Sequence, residues 1–600
     1  MLTMATALWA SRAWMEPTTV VQPDGSQLTI VPHGDVHMHW IETTDGVLLM
    51  HHEGGYYVAE VGADGNMTRS SLLAHERQQR SSEELQACQR QQQQKARFVM
   101  QAGRTVEQSR RAQVTGTGYF PHTGSPKCLV ILVNFSDVKF TNADPMKQFT
   151  QYINGETQEN LGQNEDKNTV GVKKYFEQSS GGKFTPEFDI VGPFDLPHTA
   201  AYYGEENGSS HDSRYGEFCK DAISAADATV DFSKYDNDGN GQAELVCVVF
   251  AGYGQSNNTT LPNTIWPKCG YQGVTTTDKT ADGKTVTVGY MNCNAELRKS
   301  GLTDINGIGI FVHEFSHGMG LPDMYAIEGS AASKCDNQTM EFFDLMDYGE
   351  YANNGYSPVP YTAWEREAMG WMEVEQLTET TAGLELTPVI SGGKAYKFGN
   401  GVNDEEFIYI ENVQARNNDT RTLGHPYGHG LLAYHVAYAS HSVNMADYPN
   451  SVAAKPRMAV VPAGGLLISG YRFVSGNNPT TADKPYTQSE YLEAVRRATF
   501  PGNAGVAQLT DAQALPNYMF YNHAEGGTSQ TGFNLTDIKE NEETKVVTLN
   551  FWKGNPTAIT SASRAVSAGA DACYTLDGRR LSGEPQRSGL YIRNGKKFVK

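Results

Sequence analysis

The chain has 600 residues, of which 39% are hydrophobic and 19% charged, with a formal net charge of −20. That length supplies apolar material for more than one core, and the negative balance argues against nucleic acid as a partner, because phosphate binding needs a basic surface. No apolar run is long enough to read as a membrane-spanning helix, and 60 glycines favour turns and β structure over long helices.

Residues 1–13, MLTMATALWASRA, are a short apolar run ending in small residues and read as a signal peptide cut after Ala13, without the usual basic start; a buried or disordered terminus is the plainer alternative. Residues 18–70 alternate apolar and polar with Gly and Asp at the breaks, which predicts short β-strands joined by turns. Residues 72–113 change to a Gln-, Arg- and Glu-rich composition, helical or extended, ending in the basic pair Arg110-Arg111 before Ala112. From about residue 126 the pattern becomes mixed. KCLVILVNFSD and QAELVCVVFAGYG are continuous apolar runs of the kind that form strands covered on both faces. VGVKKYFEQSSGG reads as a helix closed by glycine, and SRYGEFCKDAISAADAT as an amphipathic helix. Cys269 and Cys293 flank a predicted hairpin and are the expected disulfide, whereas Cys128 and Cys247 lie inside apolar strands and read as free core thiols. No Cys-x-x-Cys pair occurs, which excludes a zinc ribbon.

Between these strands lies DNDGNGQAE, residues 236–244. Asp236, Asp238 and Asn240 alternate as in the first half of a calcium loop, Gly241 takes the sharp turn and the Gln242 carbonyl would face the ion. The twelfth position is Cys247, so the loop cannot close as an EF-hand does; Glu244 is the substitute carboxylate, with Asp231 nearby. Clustered short acidic side chains repel one another unless a cation is present, so calcium is expected. An Asx-rich turn is the alternative.

Residues 311–325, FVHEFSHGMGLPDMY, carry the chemistry. His313 and His317 are spaced so that a helix presents both imidazoles on one face, where they can share a zinc ion. Glu314 stands where a carboxylate can take a proton from a water at the metal. Gly320 permits a sharp turn, Pro322 ends the helix, and Asp323 stands where a third ligand is needed. The pattern His-Glu-x-x-His-x-x-Gly-x-x-Asp resembles the metzincin signature with Asp as its last ligand. Downstream, EFFDLMDYGE places Met346 where metzincins carry a methionine turn beneath the metal. Tyr348, two residues on, is either an oxyanion-holding tyrosine or a turn tyrosine.

With VILVNFSD (130–137), KKYFEQSSGGKFTPEFDIVGP (173–193), YDNDGNG (235–241), TAWEREAMGW (362–371) and GHGLLAYHV (428–436), the chain resembles the immune inhibitor A family, the M6 metallopeptidases, over most of residues 20–550. The resemblance implies an α+β fold with a metzincin-like zincin domain at 112–374, and it points to calcium. It favours residues 14–111 as an N-terminal propeptide and linker over an exposed linker alone. Cys88 is a weak candidate for a latency thiolate. Beyond Trp371 strands return, and residues 375–555 read as a β-rich region in which His425, His429 and His435 are structural.

Residues 556–600 read as a linker and a terminal segment. Gly589, Tyr591, Gly595, Lys596 and Lys597 resemble the C-terminal sorting domains of secreted Bacteroidetes proteins, with an ordinary terminal hairpin as the alternative. The expected activity is that of a secreted or cell-surface zinc endopeptidase acting on proteins or peptides, engaging outer-membrane secretion machinery through its C-terminus. A silent metal-binding adhesin on the same scaffold is the rival, and retention of Glu314 counts against it. A serine hydrolase is discounted, since no Gly-x-Ser-x-Gly elbow appears at a suitable strand–helix junction.

Overall fold

The computed structural model describes residues 8–9, 12–14, 17–34, 39–111, 118–155, 167–206, 212–257, 263–299, 301, 303–327, 337–438, 443–470, 486–554, 573–575, 581, 585, 589–593 and 596–600. The chain is mixed α/β. A two-residue strand, β1 (Leu8–Trp9), precedes a meander of β2 (Thr18–Val21), β3 (Gln27–Gly34), β4 (His39–Thr43), β5 (Leu48–His52), β6 (Gly55–Val61) and β7 (Met67–Leu73), paired in sequence order. The polar segment that follows forms one long helix, α1 (Ser82–Arg111). Its Ala87 and Cys88 close a small core against Leu28, Leu49, Tyr56 and Val58. The Cys88 thiol is therefore spent on packing within this N-terminal unit and does not join the metal-ligand group, which overturns the thiolate form of latency. The basic pair Arg110-Arg111 ends α1, and Ala112 lies outside the described residues.

The next elements are β8 (Lys127–Asn134), α2 (Pro145–Asn154), α3 (Val172–Ser180), β9 (Glu187–Asp195), α4 (Ala200–Tyr203), α5 (Tyr215–Asp227), β10 (Gln242–Tyr253), β11 (Lys268–Lys279), β12 (Thr285–Leu297) and α6 (Ile308–Gly318). One sheet joins them in the order β1-β11-β12-β10-β8-β9. Strands β12, β10, β8 and β9 run parallel to their neighbours, while β11 and β1 are antiparallel at one edge. The apolar runs of β8 and β10 follow from this. Side chains alternate faces along a strand. Cys128, Val130, Leu245 and Cys247 join the core under α6, while Leu129, Ile131, Val246 and Val248 join the core under α5.

The same alternation corrects the expected disulfide. Cys269 lies opposite Asn292 and Cys293 opposite Lys268 in the β11–β12 ladder. Cys269 enters the α6-side core and Cys293 the α5-side core, so the two thiols are on opposite faces and both are free. Cys128 and Cys247 are free, as expected, with their sulfurs 3.8 Å apart.

The C-terminal half is β-rich. Strands β13 (Glu375–Gln376), β14 (Thr381–Leu386), β15 (Tyr396–Phe398), β16 (Glu406–Val413), β17 (Gly430–Ala437), β18 (Met458–Val460), β19 (Leu509–Thr510), β20 (Phe533–Glu540) and β21 (Val547–Lys553) form two sheets, β13-β15-β16-β17-β18 and β14-β21-β20-β19. This region shares a core with the α6 side of the preceding sheet: Tyr409, Leu432 and Tyr434 join the cluster that holds Phe311, Phe315 and Trp364. Trp364 donates its indole N–H to the Tyr438 carbonyl at 3.0 Å, and Asn450 donates to the Met324 carbonyl at 2.5 Å. The turn that carries Met324 is thus braced from the C-terminal side. A last sheet of β22 (Cys573–Thr575), β23 (Leu590–Arg593) and β24 (Lys596–Val599) contains Tyr591, Lys596 and Lys597 of the sorting-like segment; Gly595 lies outside the described residues.

Candidate metal centre and active site

Helix α6 is apolar nearly all round because every residue from Ile308 to Gly318 is buried. Its first turn is capped from outside, the Asn168 side chain accepting from Ile308 N–H at 3.0 Å. A β-carbon on Gly309 would sit 1.9 Å from the Glu350 carbonyl oxygen, so only glycine admits the turn that follows Met346 this close to the helix. The helix ends at a turn in which Gly320 has φ +101°, a left-handed conformation that favours glycine, as the sequence predicts.

This turn returns Asp323 to the two histidines. Asp323 Oδ1 lies 3.3 Å from His313 Nε2 and 3.3 Å from His317 Nε2. Apart from one another, these three buried atoms have no hydrogen-bond partner. The opposite ring nitrogens are fixed by the chain: His313 Nδ1 is 3.1 Å from the Leu345 carbonyl and His317 Nδ1 is 2.7 Å from the Leu321 carbonyl. A carbonyl only accepts, so each Nδ1 carries the proton and each Nε2 presents a lone pair inward. Burial holds the His313 imidazole below its usual pKa, which favours the neutral ligand form. Two imidazoles, each with its Nε2 turned inward, and one carboxyl group, converging and otherwise unsatisfied, fit a zinc ion.

Glu314 is fully buried beside these ligands. Met346 lies directly beneath: its carbonyl accepts from Met324 N–H at 2.8 Å, and the adjoining Leu345 carbonyl holds His313. The turn at Met346 thus links the loop after Asp323 to the first histidine. Tyr348 begins the short helical turn Tyr348–Tyr351, with its ring stacked on Phe342 at 5.7 Å and the Arg12 guanidinium over its face at 4.6 Å. Sequence reasoning missed Glu350. It is wholly buried, with an oxygen 3.8 Å from His313 Nδ1, and burial followed by the neighbouring Glu314 charge pushes its carboxyl well above the usual range. Its only signal in sequence is an acid two residues beyond Tyr348.

The acidic loop is brought together only in part. Asp236, Asp238 and Glu244 each place a carboxylate oxygen within 4.8 Å of the others. Asn240 N–H donates to Asp236 and Asp238 at 3.0 Å each, while the Asn240 side-chain oxygen accepts from Gln242 N–H at 2.8 Å. Gln242 opens β10, and Asp231 caps Ser233 outside the group. Asn237, not singled out from sequence, ties Glu244 to the loop and to the start of β8. The three C-terminal histidines are separate. His429 pairs with Glu540 at 2.6 Å and His435 with Glu406 at 2.8 Å, while His425 packs its ring on Phe343. A surface group of His198, Glu217 and Asp221 also converges, but Tyr202, Tyr203 and Arg214 occupy its carboxylates.

Comparison with known proteins agrees with this geometry. A sequence from Bacillus thuringiensis subsp. alesti named immune inhibitor A is 25% identical over 273 residues, covering 40% of this chain and 39% of that protein. The pre-pro-metalloprotease PrtV of Vibrio cholerae serotype O1 is 21% identical over 291 residues, covering 42% of this chain and 31% of that protein. The chain thus spans well under half the length of these curated relatives. The family model of the immune inhibitor A peptidase M6 catalytic domain matches residues 119–372, a stretch that contains the acidic loop, α6, Asp323 and the Met346 turn.

Proposed function

We propose that the chain is a secreted zinc-dependent endopeptidase, a hydrolase that cleaves peptide bonds of proteins or peptides. The observation that carries this reading is the convergence of His313, His317 and Asp323 beside the buried Glu314. These three residues would hold the metal. Zinc, when bound, polarises a scissile carbonyl and lowers the pKa of a coordinated water toward ~7. Glu314 accepts the proton of the attacking water and passes it to the leaving amine, work that metal binding alone does not require. The Leu345 and Leu321 carbonyls keep both imidazoles in one tautomer. Met346 supports the ligands from below, and Tyr348 stands two residues on as a candidate for holding the oxyanion.

Further assignments complete the reading. Residues 14–111 act as a propeptide that restrains the active domain, in keeping with the packing of the His39 ring on Trp266 at 4.8 Å, just ahead of the edge strand β11. Calcium occupies the loop of Asp236, Asp238, Asn240, Gln242 and Glu244. The terminal segment directs the chain to secretion machinery. Glu314→Gln tests the mechanism. Gln keeps the shape but accepts no proton, so hydrolysis of a denatured protein should fall by a factor of about 10²–10⁴ with zinc still bound; near-normal cleavage would defeat the assignment.

A further inference from the structure

One segment of the chain crosses the face of the site. Leu8–Trp9 adds to the edge strand β11 as an antiparallel strand, opposite Gly270 and Cys269. Cys269 adjoins the site: burial first, and the Glu314 charge second, push its thiol well above the usual value. Past the edge strand, the Arg12 carbonyl accepts from the Tyr351 hydroxyl, Ala13 N–H donates to the Gly34 carbonyl at 2.7 Å, and Trp14 N–H donates to the Ser256 carbonyl at 3.1 Å. An extended peptide bound to a sheet edge pairs as Leu8–Trp9 does and sends side chains into pockets.

The Arg12 side chain enters such a pocket and is only 3% exposed. Its guanidinium lies 4.6 Å from the centre of the Tyr348 ring and 5.7 Å from that of Tyr325. Tyr325 follows the ligand Asp323 by two residues and Tyr348 follows Met346 by two, so both walls are carried on the turns that build the metal group. The floor is acidic. Glu341 and Asp347 are both buried; burial, and for Glu341 the neighbouring Asp347 charge, raise their carboxyls to about 8 and about 6, a rise the Arg12 charge opposes in both. The fold holds these acids firmly. Glu341 accepts from the Tyr491 hydroxyl and Gly470 N–H, and Asp347 from the amides of Met340 and Glu341. A flat cation against aromatic faces, with buried acidic groups near, is the environment a guanidinium prefers over an ammonium.

Resting on the peptidase reading, we propose that this pocket is a specificity subsite for an arginine side chain of the substrate, next to the bond cleaved, and that Arg12 is its intramolecular occupant. Beyond Tyr348 a cavity of about 290 Å³ opens between Phe342, Tyr351 and Tyr491, with Trp14 at its wall. The residue two places after the substrate arginine meets this aromatic surface. Displacement of Arg12 would empty the pocket for substrate.

The test uses the full chain carrying Arg12→Ala, which vacates the pocket, and a peptide library varied at every position. The cleaved bonds should share arginine at one fixed place. Arg→Leu in the best peptide should lower kcat/KM at least thirtyfold, with lysine intermediate, and Tyr348→Leu should narrow that ratio. Cleavage with no basic preference at any position would overturn the pocket and leave the peptidase reading intact. A binding arm separates the two ideas: a fluorescein-labelled arginine peptide and its leucine counterpart are titrated against the Arg12→Ala, Glu314→Gln chain by anisotropy. Binding of the arginine peptide at least tenfold more tightly supports the pocket even if the chain retaining Glu314 cleaves nothing, a result that would overturn the peptidase reading instead. Equal binding of the two peptides would overturn the pocket.

Discussion

His313 and His317 each spend one ring nitrogen on a carbonyl of the chain and keep the other for the metal group. Their spacing, the adjacent Glu314, the turn at Gly320 and the return at Asp323 were all legible in the sequence, because an i, i+4 helical pair and a glycine that breaks it are local rules. Glu350 and Arg12 were not, because their roles depend on which turn and which strand edge the fold brings beside α6. His425 shows the same limit. Its sequence neighbours suggested only a structural histidine, but its complete burial depresses its pKa to about 4 from the usual 6.5. The folded state then resists protonation that the unfolded state accepts. The contribution is present in full above pH 6.5 and is lost as pH falls through 4, amounting to about 3 kcal/mol at 1.36 kcal/mol per pH unit. Urea unfolding of wild type and His425→Phe at pH 7 and pH 4 should show a smaller acid loss in the variant. Equal losses would remove His425 from the account of acid sensitivity.

At the scale of elements, the continuous apolar runs predicted β8 and β10 and their cover on both faces, and the pattern of the zinc helix placed α6 within a few residues. The hairpin of β11 and β12 was also legible, but its register was not. One residue of offset sends Cys269 and Cys293 to opposite faces, and nothing in their spacing reveals that. In the acidic loop Asp236, Asp238 and Glu244 come together while Asn240 and Gln242 bond to each other, and Asn237 was missed because its contacts to β8 and Glu244 are tertiary. The loop leads directly into β10, whose neighbours β8 and β12 underlie the site, so its order should support the whole sheet. Calcium at a hundredfold excess over its dissociation constant would stabilise the fold by about 2.7 kcal/mol. Tm should therefore rise on adding calcium, and Asp238→Ala should abolish the rise without loss of zinc. A wild-type Tm indifferent to calcium would reduce DNDGNGQAE to an Asx-rich turn.

Across the whole molecule, the N-terminal meander, the central sheet and the C-terminal β-rich region are built on separate sheets, and the last two share a core. The shared core between the last two was not predictable, since it joins residues as distant as Phe315 and Tyr434. The N-terminal unit meets the central sheet at its edge. The His39 ring packs on Trp266 at 4.8 Å, tilted by 33°, and Lys299 donates to Thr18 at 3.2 Å. That placement lies beside the strand an extended substrate would pair with. A chain cut after Arg111 and freed of residues 14–111 should therefore turn over peptide faster than the uncut chain, by about tenfold or more if the block must dissociate at a cost of at least 1.4 kcal/mol. Equal rates for the cut and uncut forms would end the propeptide assignment.

The central claim is that three buried side chains bind zinc so that Glu314 can carry a proton during peptide hydrolysis. Zinc content and hydrolysis of a denatured protein, measured on the same preparations of wild type and Glu314→Gln, test it most directly. The account predicts one zinc per chain in both and activity only in wild type, abolished by chelation and restored by zinc. Cleavage by Glu314→Gln at a near-normal rate, or wild-type activity unchanged after the metal is stripped, would contradict it.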